Sequence, residues 1–268
     1  MANNPAKRGQ AAILLSTLLL CNLSLILSTS IIALTLGIAA ATAAEPELLI
    51  AAAADLAGVQ EPLARGFERS TGQKMRFTLG ASGMLARQIE QGAPYDVFLS
   101  ANEAFVADLV KSGRLAPGSV RVYAYGRLGL WSKGGAIKTL ADLRNPRVLH
   151  LAIANPAHAP YGVAAREMLQ RLGLWKEMEP KVVYGENVRQ ALQYAESGNA
   201  DAVITAWSLL FDWGGVLLPD SNHAPIRQAG GVVAGRPHAA AARRFLDYLA
   251  SPEGRRILTT HGFGVPGE

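Results

Sequence analysis

The chain has 268 residues, half of them apolar, with 26 Lys and Arg against 21 Asp and Glu and a single cysteine. That length and composition support a sizeable core, arranged as one two-lobed domain or two small ones. The basic excess is mild and contains no long runs of Lys or Arg, which argues against a nucleic acid as partner.

Residues 1–44 read as an export signal and not as part of the fold. Lys7 and Arg8 give a positive start, residues 11–41 are apolar with a few Ser and Thr, and Ala41-Thr42-Ala43 or Thr42-Ala43-Ala44 offers small residues to a signal peptidase. The apolar run is longer than a usual signal core, so a retained anchor is the alternative. The one cysteine, Cys21, lies inside this segment, and Leu20 before it argues against a lipoprotein cleavage site. Beyond residue 44 the chain therefore has no disulfide, no thiol chemistry and no thiolate metal site. Lys7 and Arg8 also leave with the signal, so 24 basic and 21 acidic residues remain.

From Leu48 onward, strand and helix patterns alternate. Leu48-Leu49-Ile50 and the four alanines after it read as a buried strand ending in a tight turn at Asp55. The next helix places Leu56, Val59, Leu63 and Phe67 on one face and stops at Gly72. Residues 75–79 are a second strand. Residues 78–94, TLGASGMLARQIEQGAP, then run through a small-residue turn into a helix that buries Leu85 and Ile89, with Ser82 able to cap it. Residues 96–100 form a third strand, and Phe105, Val106, Leu109 and Val110 stripe the helix after it. An extended run over 122–132 has no helix directly behind it.

A second set begins with a strand at 148–154, a turn at Asn155-Pro156 and Ala159-Pro160, and a helix from Tyr161. A strand at 181–184, a helix opened by Glu186-Asn187 and a strand at 202–206 follow. Residues 213–231 read as a Pro- and Gly-bearing loop, Val232-Val233 as a short strand, and helices near 245–249 and 255–260 close the chain. The alternation predicts parallel sheets covered on both faces. Two such sets predict two lobes, with ligand in the crevice between them beyond the strand ends.

Four turns, at Ala54-Asp55, Ala81-Ser82-Gly83, Pro160-Tyr161-Gly162 and Asn187-Val188, place backbone N–H groups at helix starts without a Lys or Arg among them. Convergent, they make a neutral cavity suited to an oxyanion; otherwise they are the helix starts of any α/β protein. Asp55 is the awkward member, since a carboxylate would repel an anion. Either it turns back to cap its own helix and offers only its amide, which is the expectation, or it is held protonated. No GxSxG elbow, P-loop or HExxH is present, and the five histidines share no metal-ligand spacing, so no enzyme and no cofactor is expected.

The segments LLIAAAADL, ASGMLARQIEQGAPYDVFLSA, ANPAHAPYGVAAREMLQRLGLW, ENVRQAL and FLDYLASPEGRRILTTHGF resemble the periplasmic molybdate-binding proteins of ABC importers, which are type II periplasmic binding proteins. The resemblance runs over the whole chain after residue 44 and implies the two-lobed α/β fold of that class. It divides the chain into signal 1–44, first lobe 45–124, second lobe 125–230 and a return to the first lobe over 231–268, with a hinge near Tyr125 and Gly230. It also implies capture of molybdate, and of tungstate with it, through Asp55, Ser82, Tyr161 and Val188. Ser82 would give hydroxyl and amide, the other three their amides, and no side chain would ligate the metal directly. Some members add a tyrosine hydroxyl where this chain has Ala206. The implied setting is a periplasmic monomer serving an inner-membrane ABC permease. The alternatives are a binding protein for sulfate, phosphate or another tetrahedral oxyanion, and an enzyme or sensory domain on the same scaffold.

Overall fold

The structure is a computed structural model that describes residues 47–267. The export-signal reading of residues 1–44, with Cys21, lies outside the described residues. Within them no helix is long and apolar enough to cross a membrane.

Two five-stranded sheets carry the fold. The first joins β1 (Leu48–Ala53), β2 (Met75–Gly80), β3 (Val97–Ser100), β4 (Arg121–Gly126) and β10 (Ile226–Val232) in the order β2-β1-β3-β10-β4. The second joins β5 (Leu128–Trp131), β6 (Leu151–Ala154), β7 (Val182–Gly185), β8 (Ala202–Ala206) and β9 (Val216–Leu217) in the order β7-β6-β8-β5-β9. Helices α1 (Gln60–Thr71), α2 (Ser82–Glu90), α3 (Glu103–Lys111), α7 (Ala239–Leu249) and α8 (Pro252–Thr259) accompany the first sheet. Helices α4 (Pro160–Arg171), α5 (Trp175–Met178) and α6 (Val188–Ser197) accompany the second.

The sheets are mixed, where the sequence predicts parallel ones. β1 pairs in parallel with β2 and β3, and β6 with β7 and β8. β10 runs antiparallel between β3 and β4, and β5 antiparallel between β8 and β9. β4 and β5 follow one another with only Arg127 between them and belong to different sheets, so the chain crosses from one sheet to the other without a helix.

The chain leaves the first sheet at Gly126 and rejoins it at Ile226, which begins β10. The return therefore lies ahead of Gly230, which sits inside β10, opposite Leu99 and Arg121.

Core packing follows the helical stripes. Phe67, Phe245 and Tyr248 meet edge-on or tilted under the first sheet, with centroids 5.3 and 5.6 Å from Phe67. α6 buries Val188, Ala191, Leu192 and Ala195, the four positions its sequence period selects. One apolar cluster reaches across both sheets: Ala53, Ala54, Ala81 and Ala101 from the first pack with Ala159, Tyr161 and Val188 from the second. All seven sit at strand ends or helix starts, so the two sheets face each other across their loop ends.

Candidate functional site

Asp55, Ser82, Tyr161 and Val188 line one small cavity, together with Ala53, Ala54, Ala81, Ala101, Pro160 and Asn187. It offers about 10 Å³ to the centre of a water-sized sphere. Its walls carry no Lys, Arg or His, and Asp55 is their one carboxyl.

The backbone around it follows one rule at three helices. A helix leaves its first N–H groups without intrahelical acceptors. In α2, Met84 and Leu85 donate to Ala81 O, and Gly83 donates across to His158 O at 3.0 Å, so the Ser82 amide is left over. In α4, Pro160 has no N–H, Gly162 and Val163 donate to Ala159 O, and the Tyr161 amide is left over. In α6, Asn187 Oδ1 accepts from Arg189 and Gln190 N–H at 2.9 and 3.1 Å, Ala191 donates to Asn187 O, and the Val188 amide is left over. Among the described residues, each of these helices thus has one unclaimed donor in its first turn, and all three residues line the same cavity.

Ser82 is the first residue of α2, not its cap: Ala81 holds the cap position, and no side chain bonds there. The Ser82 hydroxyl instead accepts from Ala101 N–H at 2.9 Å. A hydroxyl that accepts still carries its proton, so Ser82 keeps a side-chain donor beside its amide.

Asp55 also departs from its expected role. It lies in the 3-10 turn Ala54–Gly58, which has no side-chain cap, and its carboxylate reaches across to the other sheet. Asp55 Oδ2 accepts from Tyr161 Oη–H at 2.8 Å and from Gln228 Nε2. Gln228 Nε2 also donates to Tyr161 Oη at 3.0 Å, and Gln228 Oε1 accepts from Tyr123 Oη–H at 2.8 Å. Asp55 Oδ1 has no hydrogen-bond partner among the described residues although Asp55 is only 1% exposed. The side chain goes this way because its buried site brings it two neutral donors from distant elements.

Burial pushes the Asp55 carboxyl up to about 6, against the downward pull of the Gln228 and Tyr161 hydrogen bonds and, more weakly, of its own and Leu56 backbone N–H. Burial and the Asp55 charge raise the Tyr161 and Tyr123 phenols well above their ordinary value, so both stay protonated. Gln228 and Tyr123 have no signal in the local sequence. Gln228 is simply an inward position on β10 and Tyr123 one on β4. Gly126 permits the arrangement, since a Cβ there would run into Tyr161 Oη and Ile226 Cγ2.

A larger cleft of about 460 Å³ lies elsewhere, walled by Gly58, Arg189, Glu196, Phe211, Trp213 and His261 among others. It carries both signs of charge, and none of the three unclaimed amides belongs to it.

The sequence profile of the bacterial extracellular solute-binding proteins matches residues 48–264. The molybdate-binding protein ModA of Rhodobacter capsulatus is 36% identical over 243 residues, 87% of this chain and 93% of the relative. The ModA of Azotobacter vinelandii is 35% identical over 251 residues, 91% of this chain and all of the relative. The structure of the periplasmic molybdate-binding protein of Azotobacter vinelandii superposes with a TM-score of 0.78 at 31% identity, covering 82% of this chain and all of that one. By profile, by sequence and by fold, this chain belongs to the bacterial extracellular solute-binding protein family.

Proposed function

We propose that this protein is the substrate-binding component of an ABC importer, taking up molybdate, and tungstate with it, outside the cytoplasm and delivering it to an inner-membrane permease. The observation that carries the reading is the set of three unclaimed amides, from Ser82, Tyr161 and Val188, on one cavity with no cationic side chain. Aimed backbone donors hold a dehydrated dianion without a counter-charge when several converge. The chain-long likeness to the molybdate-binding ModA proteins supports molybdate as the ligand.

In this reading the two sheets are the bodies of two lobes. The first lobe runs to Gly126 and resumes at Ile226, with the second lobe between, and the crossings at Gly126–Leu128 and before Ile226 act as the hinge. Opening admits the anion, and closure is favoured because only the closed form brings donors from both lobes onto it. Ser82 contributes hydroxyl and amide, Tyr161 and Val188 their amides, and Asp55 completes the ring. The protein acts as a monomer in the periplasm, exported by the signal at 1–44, and needs no cofactor.

Calorimetric titration tests the ligand. Molybdate and tungstate are expected to bind the purified protein with one site each, while sulfate and phosphate in large excess give no heat. Heat with sulfate or phosphate but none with molybdate would sink the reading.

A further inference from the structure

Asp55 is the feature of the cavity that capture of a dianion leaves unexplained. It is the acid among the cavity residues, 1% exposed, and it faces a place where negative charge is to be held. An ionised carboxylate beside a dianion with no cation between them is strongly repelled in a dry site.

The donor census shows where relief comes from. Tyr123 has one hydroxyl proton and gives it to Gln228 Oε1. Gln228 Nε2 donates to both Tyr161 Oη and Asp55 Oδ2. Tyr161 gives its own proton to Asp55 Oδ2. The side-chain donors of this buried chain are committed, and both that reach the carboxyl reach Oδ2, with a weaker pull from the Asp55 and Leu56 main-chain N–H groups. Oδ1 receives none and is the oxygen left on a residue that lines the cavity.

We infer that anion capture by this protein is coupled to uptake of one proton: Asp55 enters the complex as a neutral carboxyl whose Oδ1–H donates to the bound oxyanion. The inference rests on the oxyanion-capture reading above and deepens it. The proton comes from solvent, and the anion binds in its fully deprotonated form, so the balance is carboxylate plus proton plus dianion giving a carboxyl–dianion complex. An acceptor that would repel the ligand becomes one more donor to it.

The groups facing Asp55 leave no other home for that proton. Tyr161 on α4 and Tyr123 on β4 are protonated throughout, Gln228 on β10 does not titrate, and Ser208 donates only to the Asp55 main-chain carbonyl. Arg189 and Glu196 of α6 and His261 line the separate outer cleft. Burial, outweighing the hydrogen bonds that pull the other way, already holds the Asp55 carboxyl at about 6, and a neighbouring dianion raises it further. The sign follows: below about pH 6 the carboxyl is protonated before the anion arrives, and above it each binding event must draw a proton from the buffer.

The test is calorimetric titration of the full exported protein with molybdate between pH 6 and 8.5, in pairs of buffers of different ionisation enthalpy. About one proton per anion is expected at pH 8.5 and about half of one at pH 6, with affinity about a hundredfold weaker at the higher pH. In Asp55→Asn the amide nitrogen replaces the carboxyl O–H while the amide oxygen keeps the Tyr161 and Gln228 donors. The variant should bind with no proton uptake and little pH dependence. Molybdate binding by the wild type with no proton uptake and flat affinity overturns the inference and leaves the capture reading standing. Proton uptake that persists in Asp55→Asn overturns it too, because the proton then lies elsewhere. No heat with molybdate at any pH removes the capture reading and this inference together.

Discussion

Asn102, Asn187, Ser82 and Asp55 stand at the starts of helical segments, and they divide into pairs. Asn102 and Asn187 turn back on their own helices: Asn102 Oδ1 accepts from Ala104 N–H at 2.9 Å, and Asn187 Oδ1 from Arg189 and Gln190. Ser82 and Asp55 do not. Ser82 bonds to Ala101, 19 residues away, and Asp55 to Tyr161 and Gln228, 106 and 173 residues away. All four belong to the residue types favoured at caps. The pair that serves its own helix makes local structure, whereas the pair that does not lines the cavity with a donor or acceptor still in hand. A polar residue at a helix start is thus informative about function when its capping position is filled without it.

The largest way to break this contrast is to crowd the network on which Asp55 depends. Gly126→Ala puts a Cβ against Tyr161 Oη and Ile226 Cγ2, where β4 is about to cross to the second sheet. The Tyr161 hydroxyl cannot retreat without giving up Asp55 Oδ2. Overpacking of this kind costs roughly 3 kcal/mol, at the upper end of the usual range. Urea unfolding should show that loss, with anion affinity falling as well. Unchanged stability would mean that Tyr161 has room to move and that the network is less rigid than its hydrogen bonds imply.

The same contrast explains what could be read from the sequence. The strand–helix alternation, the apolar faces of α1 and α6 and the glycine stop at Gly72 are local, set by periods of 2 and 3.6 and by one left-handed residue. So are the three helix starts whose amides line the cavity, because small residues, Pro160 and Asn187 determine which N–H groups remain unclaimed. What was illegible is what the sheets bring together. β10 reads as a loop because Gln228, Gly230 and Gly231 interrupt any apolar alternation. In the fold the glycines are there because Leu99 and Leu246 pack against Gly230 and Leu115 against Gly231, and Gln228 because Asp55 and Tyr123 need its amide. Assigning Asp55 to a cap was the local solution; burial opposite two distant donors overrode it. The antiparallel strands β10 and β5, each inside its sheet, are hidden for the same reason, since strand direction leaves no periodic mark.

Ser82→Ala sharpens the contrast at an intermediate size. The substitution removes a hydroxyl that accepts from Ala101 N–H and keeps a proton for the anion. Because Ala81 and not Ser82 occupies the cap position, α2 loses no cap. Anion affinity should fall by roughly 1–3 kcal/mol, the usual effect of losing a hydrogen bond to a charged group. Titration of wild type and variant with molybdate reads this directly. An affinity unchanged within error would place the Ser82 hydroxyl outside the ring of donors.

Asn187→Ala supplies the opposite case and the smallest effect. Asn187 also lines the cavity, so position alone would class it with Ser82. Its Oδ1, however, is already occupied by the Arg189 and Gln190 amides. Removing it should cost about 1 kcal/mol of folding stability, as for other helix caps. Anion affinity should fall by less than in Ser82→Ala, since the Val188 amide remains and loses only part of what fixes its direction. Urea unfolding and molybdate titration on the same two variants then separate the roles: Ser82→Ala, which also gives up its bond from Ala101 N–H, loses the more affinity, and Asn187→Ala loses mainly stability. An Asn187→Ala protein of undiminished stability that binds the anion as poorly as Ser82→Ala would move Asn187 into the second pair and remove the distinction between capping and cavity side chains.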